Sequence, residues 1–318
     1  MNNSFDRRQF LKLAGTSALG LSLFACSRSP SPAAGGKVII GGAGLSGLTA
    51  ALLLEERGAE VTVLEARERL GGRVFTLDDV LGMPEGGGPV IASSYKRLLK
   101  LAELANVPMQ PAPGFDPKLL LHVNGKTLDV QAWAGSEANL TVGPERNLPP
   151  SLLSGYYVKQ DVPLKNSTDW LSPSSAPLDI PLYELLRQRG ASEEALRLMN
   201  IAPNTNDIST TSALWAFRDA QRRRDARGVS IIGATGGNSR IIEGMTRAIR
   251  GEILTGMAIT AVRSTDQGVE VSCADGSVHS ADYCLLTLPF SVMRNVVFDP
   301  PLQGTQREAV EKLPYTAT

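Results

Sequence analysis

The chain has 318 residues, with 32 Lys plus Arg balanced by 32 Asp plus Glu, two histidines and three cysteines. That length leaves room for a sizeable core and about two domains, and zero net charge calls for no nucleic-acid partner. Three cysteines in so long a chain are no disulfide framework.

Residues 1–36 read as a targeting segment and linker. Asp6-Arg7-Arg8-Gln9-Phe10-Leu11-Lys12 resembles a twin-arginine export (Tat) signal. The apolar stretch from Leu13 to Ala25 is too short and too rich in Gly, Ser and Thr to span a bilayer. This predicts engagement with the Tat machinery and a periplasmic or other extracytoplasmic location. Leu23-Phe24-Ala25-Cys26 resembles a lipoprotein cleavage box, so a lipid on Cys26 and simple cleavage nearby are alternatives. A lipid there is the sole membrane contact expected. Ser27 to Gly36 is a flexible tether in composition.

The next segment carries the chemistry. Lys37-Val38-Ile39-Ile40-Gly41 is a short apolar strand that runs into Gly42, Ala43, Gly44, Leu45, Ser46 and Gly47, the glycine spacing that opens a helix. A second strand, Glu60-Val61-Thr62-Val63-Leu64, ends at Glu65-Ala66-Arg67, about twenty residues on. Each part has a physical role in dinucleotide binding. Gly42 makes the tight turn, Gly44 lets backbone approach a pyrophosphate, and Gly47 lets helix and strand pack closely. The helix N-terminus offers N–H groups and partial positive charge, and Glu65 can accept a hydrogen bond from a ribose hydroxyl. A strand–helix turn that binds nothing would explain the glycines but not Glu65.

Downstream, Glu68-Arg69-Leu70-Gly71-Gly72-Arg73-Val74 resembles the segment after the second strand in FAD-dependent amine oxidases, the family of monoamine, polyamine and L-amino-acid oxidases. There two glycines again admit phosphate to the backbone, and Arg73 brings a forked cationic donor. The likeness continues at Glu85-Gly86-Gly87-Gly88, where the family lays a Gly-Gly pair against the flavin. Pro89-Val90 departs from the family pattern, which often has an aromatic residue nearby. The resemblance continues at Gly236-Gly237-Asn238, at Ala258-Ile259-Thr260-Ala261-Val262, at Asp282–Pro289 and at Phe298-Asp299-Pro300-Pro301-Leu302. It implies FAD as cofactor, with Ile259 meeting adenine through its backbone and Gly87 and Gly88 near the ring. The candidate cofactor-binding residues are Gly42, Ala43, Gly44, Ser46, Gly47, Glu65, Ala66, Arg67, Arg73, Gly87, Gly88 and Ile259; no catalytic residue is assigned.

Other elements follow in order. A helix is predicted at Lys96–Leu104. Pro, Ser and Asn accumulate in 139–181, and helical patterns recur at Leu182–Arg189, Glu193–Asn200 with Ser192 as N-cap, and Ala213–Arg224. Arg222-Arg223-Arg224 reads as a solvated helix face. A helix at Arg240–Arg250 and a hairpin over Val269–Asp282 complete the pattern. His122 and His279 sit at hairpin positions beside the Asn124-Gly125 and Asp275-Gly276 turns, without metal-ligand spacing. No Gly-x-Ser-x-Gly elbow supports a hydrolase. Cys273 and Cys284 fall in strand-like runs and read as ordinary buried thiols, although export would permit a bridge between them.

The fold expected is α/β, a Rossmann-like FAD-binding domain (doubly wound sheet plus β-meander) with an inserted α+β substrate domain. The FAD domain takes 37–107 and 230–294, and the substrate domain takes 108–229 and 295–318. The resemblance implies oxidation of a primary or secondary amine or amino acid to an imine, with oxygen as acceptor and hydrogen peroxide as product. It also implies a further portion beyond Pro314-Tyr315 that completes the substrate domain, so the chain reads as a C-terminally truncated member. Carotenoid-desaturase-like or protoporphyrinogen-oxidase-like chemistry, and a non-catalytic remnant, remain as alternatives.

Overall fold

The computed structural model describes residues 35–112, 120–201, 207–225 and 228–313. The twin-arginine segment and Cys26 lie outside the described residues. Two compact units emerge, one from 35–112 with 230–313, the other from the described residues of 120–229.

The first unit begins with β1 (Lys37–Gly41), α1 (Leu45–Glu56), β2 (Glu60–Leu64), β3 (Phe75–Thr76), β4 (Glu85–Gly87), β5 (Ile91–Ala92), α2 (Lys96–Leu104) and β6 (Met109–Pro111). The second unit holds the hairpin β7 (Leu120–Val123) and β8 (Lys126–Asp129), then α3 (Pro150–Val158), α4 (Leu182–Gln188), α5 (Glu193–Ile201) and α6 (Ala213–Asp225). The chain re-enters the first unit through β9 (Ile231–Ala234), α7 (Ser239–Ala248), β10 (Glu252–Leu254), β11 (Ile259–Thr265), β12 (Gly268–Cys273), β13 (Val278–Ala281), β14 (Tyr283–Leu286), α8 (Phe290–Met293), β15 (Val297–Asp299) and α9 (Gly304–Lys312).

Two four-stranded sheets organise the first unit. One is parallel throughout, in the order β10-β2-β1-β14. The other, β13-β12-β11-β15, is an antiparallel meander with a parallel edge at β15. The apolar run Val38-Ile39-Ile40 is buried on both faces, as a central parallel strand must be. Val38 and Ile40 enter a core with Leu48 and Ala51 of α1, Leu101 of α2 and Ile241 and Met245 of α7. Ile39 enters the opposite core with Leu64, Val262 and Val271. The parallel sheet is therefore a middle layer, helices on one side and the meander on the other.

Helix α1 buries Gly47, Leu48, Ala51 and Glu55, a stripe at the i, i+4 spacing of a core-facing helix. That stripe ends in a carboxylate, and Glu55 is 6% exposed. It accepts N–H bonds from Arg250 at 2.9 Å and Gly251 at 2.6 Å, which anchors the approach to β10.

The second unit packs around Trp133, Leu153, Leu186, Met199 and Phe217. The Asn124-Gly125 turn has φ of +50° and +74°, as a two-residue hairpin requires. Arg222, Arg223 and Arg224 lie on the exposed side of α6. Helix α3 escapes the sequence patterns because it opens on Pro149-Pro150, yet Pro149 is its N-cap and Pro150 sits in its first turn, where its missing N–H costs nothing. The Pro-rich 139–181 stretch otherwise folds into 3₁₀ turns at Gly143–Asn147, Asp169–Leu171 and Pro173–Leu178. Residues 295–313, grouped with the inserted region on sequence, pack in the first unit. Val297–Asp299 pairs with Ala261–Arg263, and Phe298 seats against the meander core.

Candidate functional site

The glycine-rich turn leaves β1 at Gly42, whose φ is +101°, and the Gly42 N–H donates to the Leu64 carbonyl at 2.7 Å. The turn is thereby pinned to the end of β2. Gly44 is the extended N-cap of α1 and no side chain caps the helix, so the first-turn N–H groups lack intrahelical acceptors. A Cβ on Gly47 would stand 1.8 Å from the Gly42 carbonyl oxygen. Glycine alone lets the helix start this close to the strand. Ala43 is fully buried, whereas Ser46 is exposed.

A second glycine turn lies against the first. Gly44 and Gly71 form a parallel bridge, and the Gly71 N–H donates to the Ala43 carbonyl at 2.8 Å. A Cβ on Gly44 would meet nothing nearer than Gly72 Cα at 3.9 Å. Two backbone turns thus run side by side with no side chain between them.

Glu65 is buried at the end of β2. Its Oε2 accepts the Ala43 N–H at 2.7 Å and its Oε1 accepts the Arg67 N–H at 3.1 Å. The carboxylate therefore ties β2 to the glycine turn, and its two oxygens keep lone pairs for further donors. The Glu65 N–H donates to Leu254 O at 2.9 Å and its carbonyl accepts from Met257 N at 2.8 Å, which brings the start of β11 alongside. Ile259 opens β11, and its Cδ1 is 2.8 Å from where a Cβ on Gly41 would be. Ala66, Arg67 and Arg73 are exposed around this centre. Gly87 joins it through Arg73, since a Cβ on Gly87 would lie 2.3 Å from the Arg73 carbonyl oxygen. Gly88, with φ of +67°, is exposed.

Three further residues complete the site. Gly71 and Gly72 supply the facing turn. The Thr287 hydroxyl donates to the Gly41 carbonyl at 2.8 Å and lies 3.2 Å from the Gly42 carbonyl, bracing the turn from β14's end. Thr287 lies in the Asp282–Pro289 segment through which the family resemblance runs.

Residues 45–318 match the family described as flavin containing amine oxidoreductases, and the chain belongs to that family. It is 25% identical over 292 residues to the flavin-containing amine oxidase of Danio rerio, covering 87% of this chain and 54% of that protein. Against the flavin-containing amine oxidase B of Homo sapiens it is 24% identical over 293 residues, covering 87% and 55%. The chain therefore spans about half the length of these curated relatives. Its fold resembles wild-type putrescine oxidase bound to putrescine, with a TM-score of 0.65 at 20% identity, over 87% of this chain and 63% of that one. FAD is the cofactor that membership of this family assigns.

The residues present fit that group. Neither Gly44 nor Gly72 carries a Cβ that would fill the cradle between the two turns, α1 points an uncapped N-terminus at it, and Glu65 has acceptor capacity beside it.

Proposed function

We propose that the chain carries the FAD site of an enzyme oxidising a primary or secondary amine, or an amino acid, to an imine, with molecular oxygen as acceptor. The observation that carries this reading is the parallel contact of Gly44 with Gly71 beside the buried Glu65. In a Rossmann-like arrangement, Gly42, Ala43, Gly44, Ser46 and Gly47 hold the pyrophosphate through backbone N–H groups and the helix dipole. Glu65, with Ala66 and Arg67 beside it, receives the ribose; Arg73 neutralises phosphate; Ile259 meets adenine through its backbone; and Gly87 and Gly88 let backbone stand close to the ring.

When bound, FAD supplies the two-electron acceptor for the substrate C–H bond. The protein residues orient it and exclude competing poses. The amine loses a hydride equivalent and a proton, oxygen gains both as hydrogen peroxide, and water hydrolyses the imine. The second unit is proposed as part of the substrate domain. Export through the Tat machinery is proposed from Arg7-Arg8, with Cys26 either lipidated or removed.

Purified chain mixed with FAD and passed through gel filtration is expected to retain flavin absorbance, and amine or amino-acid screening to release peroxide. Protein that elutes colourless would refute the cofactor site. Retained flavin with no peroxide from any amine would refute the oxidase activity while leaving the site intact.

A further inference from the structure

The glycines proposed to face the flavin ring cannot hold themselves in place. Gly86, Gly87 and Gly88 are consecutive, and glycine has the greatest backbone freedom of any residue. Their lack of side chains permits close approach but supplies no rigidity.

A polar cluster drawn from three separated stretches of chain supplies it. Asn238, at the N-terminus of α7, is 2% exposed. Its Nδ2 donates to the Gly88 carbonyl at 2.9 Å, its Oδ1 accepts the Ala234 N–H at 3.0 Å, and its own N–H donates to Glu85 Oε1 at 2.7 Å. Thr76, also 2% exposed, closes the loop. Its hydroxyl donates to Glu85 Oε2 at 3.0 Å and accepts the Ser239 N–H at 3.0 Å, while its N–H donates to the Ser239 hydroxyl at 2.8 Å. Both ends of the glycine run are therefore tied, Glu85 through its carboxylate and Gly88 through its carbonyl. Gly87 between them rests on the Arg73 carbonyl oxygen, at the 2.3 Å that a Cβ would find.

We propose that Asn238 and Thr76 are positioning residues for the cofactor: they fix where the Gly87–Gly88 backbone stands relative to Arg73. The ring-facing and phosphate-facing parts of the site are thereby held in one geometry. The proposal rests on the reading that Gly87 and Gly88 lie at the flavin ring. Buried polar networks of this kind rigidify a segment only while every member is satisfied. Removing one donor frees a carbonyl and lets the glycine run move.

Asn238→Asp keeps the shape and the Oδ1 acceptor but turns the donor facing Gly88 into a second acceptor. Thr76→Val removes the hydroxyl at constant volume, and Thr76→Ser restores it as the conservative control. Two readouts separate this proposal from the cofactor reading. In the FAD-free chain, amide exchange over Arg73–Gly88 is expected to quicken about tenfold in Asn238→Asp and Thr76→Val and to stay at the wild-type rate in Thr76→Ser. In the FAD-loaded chain, the same two variants are expected to alter the visible circular dichroism of the flavin and weaken FAD binding about tenfold. Unchanged exchange in both variants overturns the clamp. Faster exchange with wild-type flavin dichroism and affinity overturns the positioning role. A wild-type chain that takes up no FAD while its variants still loosen the segment overturns the cofactor reading, and with it the positioning role, and leaves the cluster as architecture.

Discussion

At Gly47 one hydrogen atom is all the fold tolerates. A methyl group there would sit 1.8 Å from the Gly42 carbonyl oxygen, and that carbonyl belongs to a turn already fixed by Leu64 and Thr287. Neither side can yield without moving β1 against α1. Gly47→Ala is expected to cost about 1–3 kcal/mol, the usual range for overpacking, and to abolish FAD retention. Urea unfolding and gel filtration with FAD measure the two effects, and wild-type stability would show that the turn yields after all. Cys284 is a different kind of residue, because burial pushes its thiol up to about 11. It stays protonated near neutral pH and behaves as a small hydrophobe of β14.

The elements of the second unit are joined by one buried carboxylate. Glu145 lies in the 3₁₀ turn Gly143–Asn147 and is 3% exposed. It accepts from the Tyr157 hydroxyl of α3 at 2.5 Å, from the Ser192 hydroxyl at 2.5 Å and from the Ser192 N–H at 2.9 Å. Ser192 is at the same time the N-cap of α5, its Oγ accepting the Ala195 N–H at 3.2 Å. Burial alone would raise the Glu145 pKa, but the Ser192, Tyr157 and Val142 bonds outweigh it and hold the carboxyl below its ordinary value of 4.5. The sign follows from proton linkage: the unfolded chain binds the proton more readily. The contribution is complete above the unfolded value and is lost as pH falls through the lowered folded one. Glu145→Gln is expected to be less stable near neutral pH and to lose less stability on acidification. Urea midpoints at about pH 7 and about pH 3 test this, and parallel acid limbs for both proteins would contradict it.

Over the whole molecule, the proposed cofactor residues all belong to the first unit, although 37–107 and 230–294 are far apart in the chain. Ligand linkage then predicts where stabilisation appears. At a free FAD concentration about a hundred times its Kd, folding is favoured by about 2.7 kcal/mol. Protection from hydrogen exchange is expected to rise over β1, β2, α1 and β11 and to change least around Trp133, Leu186 and Phe217. Uniform protection across both units would count against a site confined to the first.

Much of this was legible in the residues themselves. The strand Lys37–Gly41, the glycine turn, Glu65 and the helices read at Lys96–Leu104 and Ala213–Arg224 follow from periodicity and turn chemistry, because those signals are local; the structure carries the second helix one residue further, to Asp225. The family likeness was readable from the same short motifs. What tertiary structure alone decided is which distant segments meet. No local signal says that Gly71 bridges Gly44, that Thr287 braces the turn, that Val297–Asp299 joins the meander, or that Asn238 binds the Gly88 carbonyl from 150 residues away. Such pairings depend on the order of strands in a sheet and on filling every donor and acceptor in a shared core, and both are properties of the packed chain as a whole.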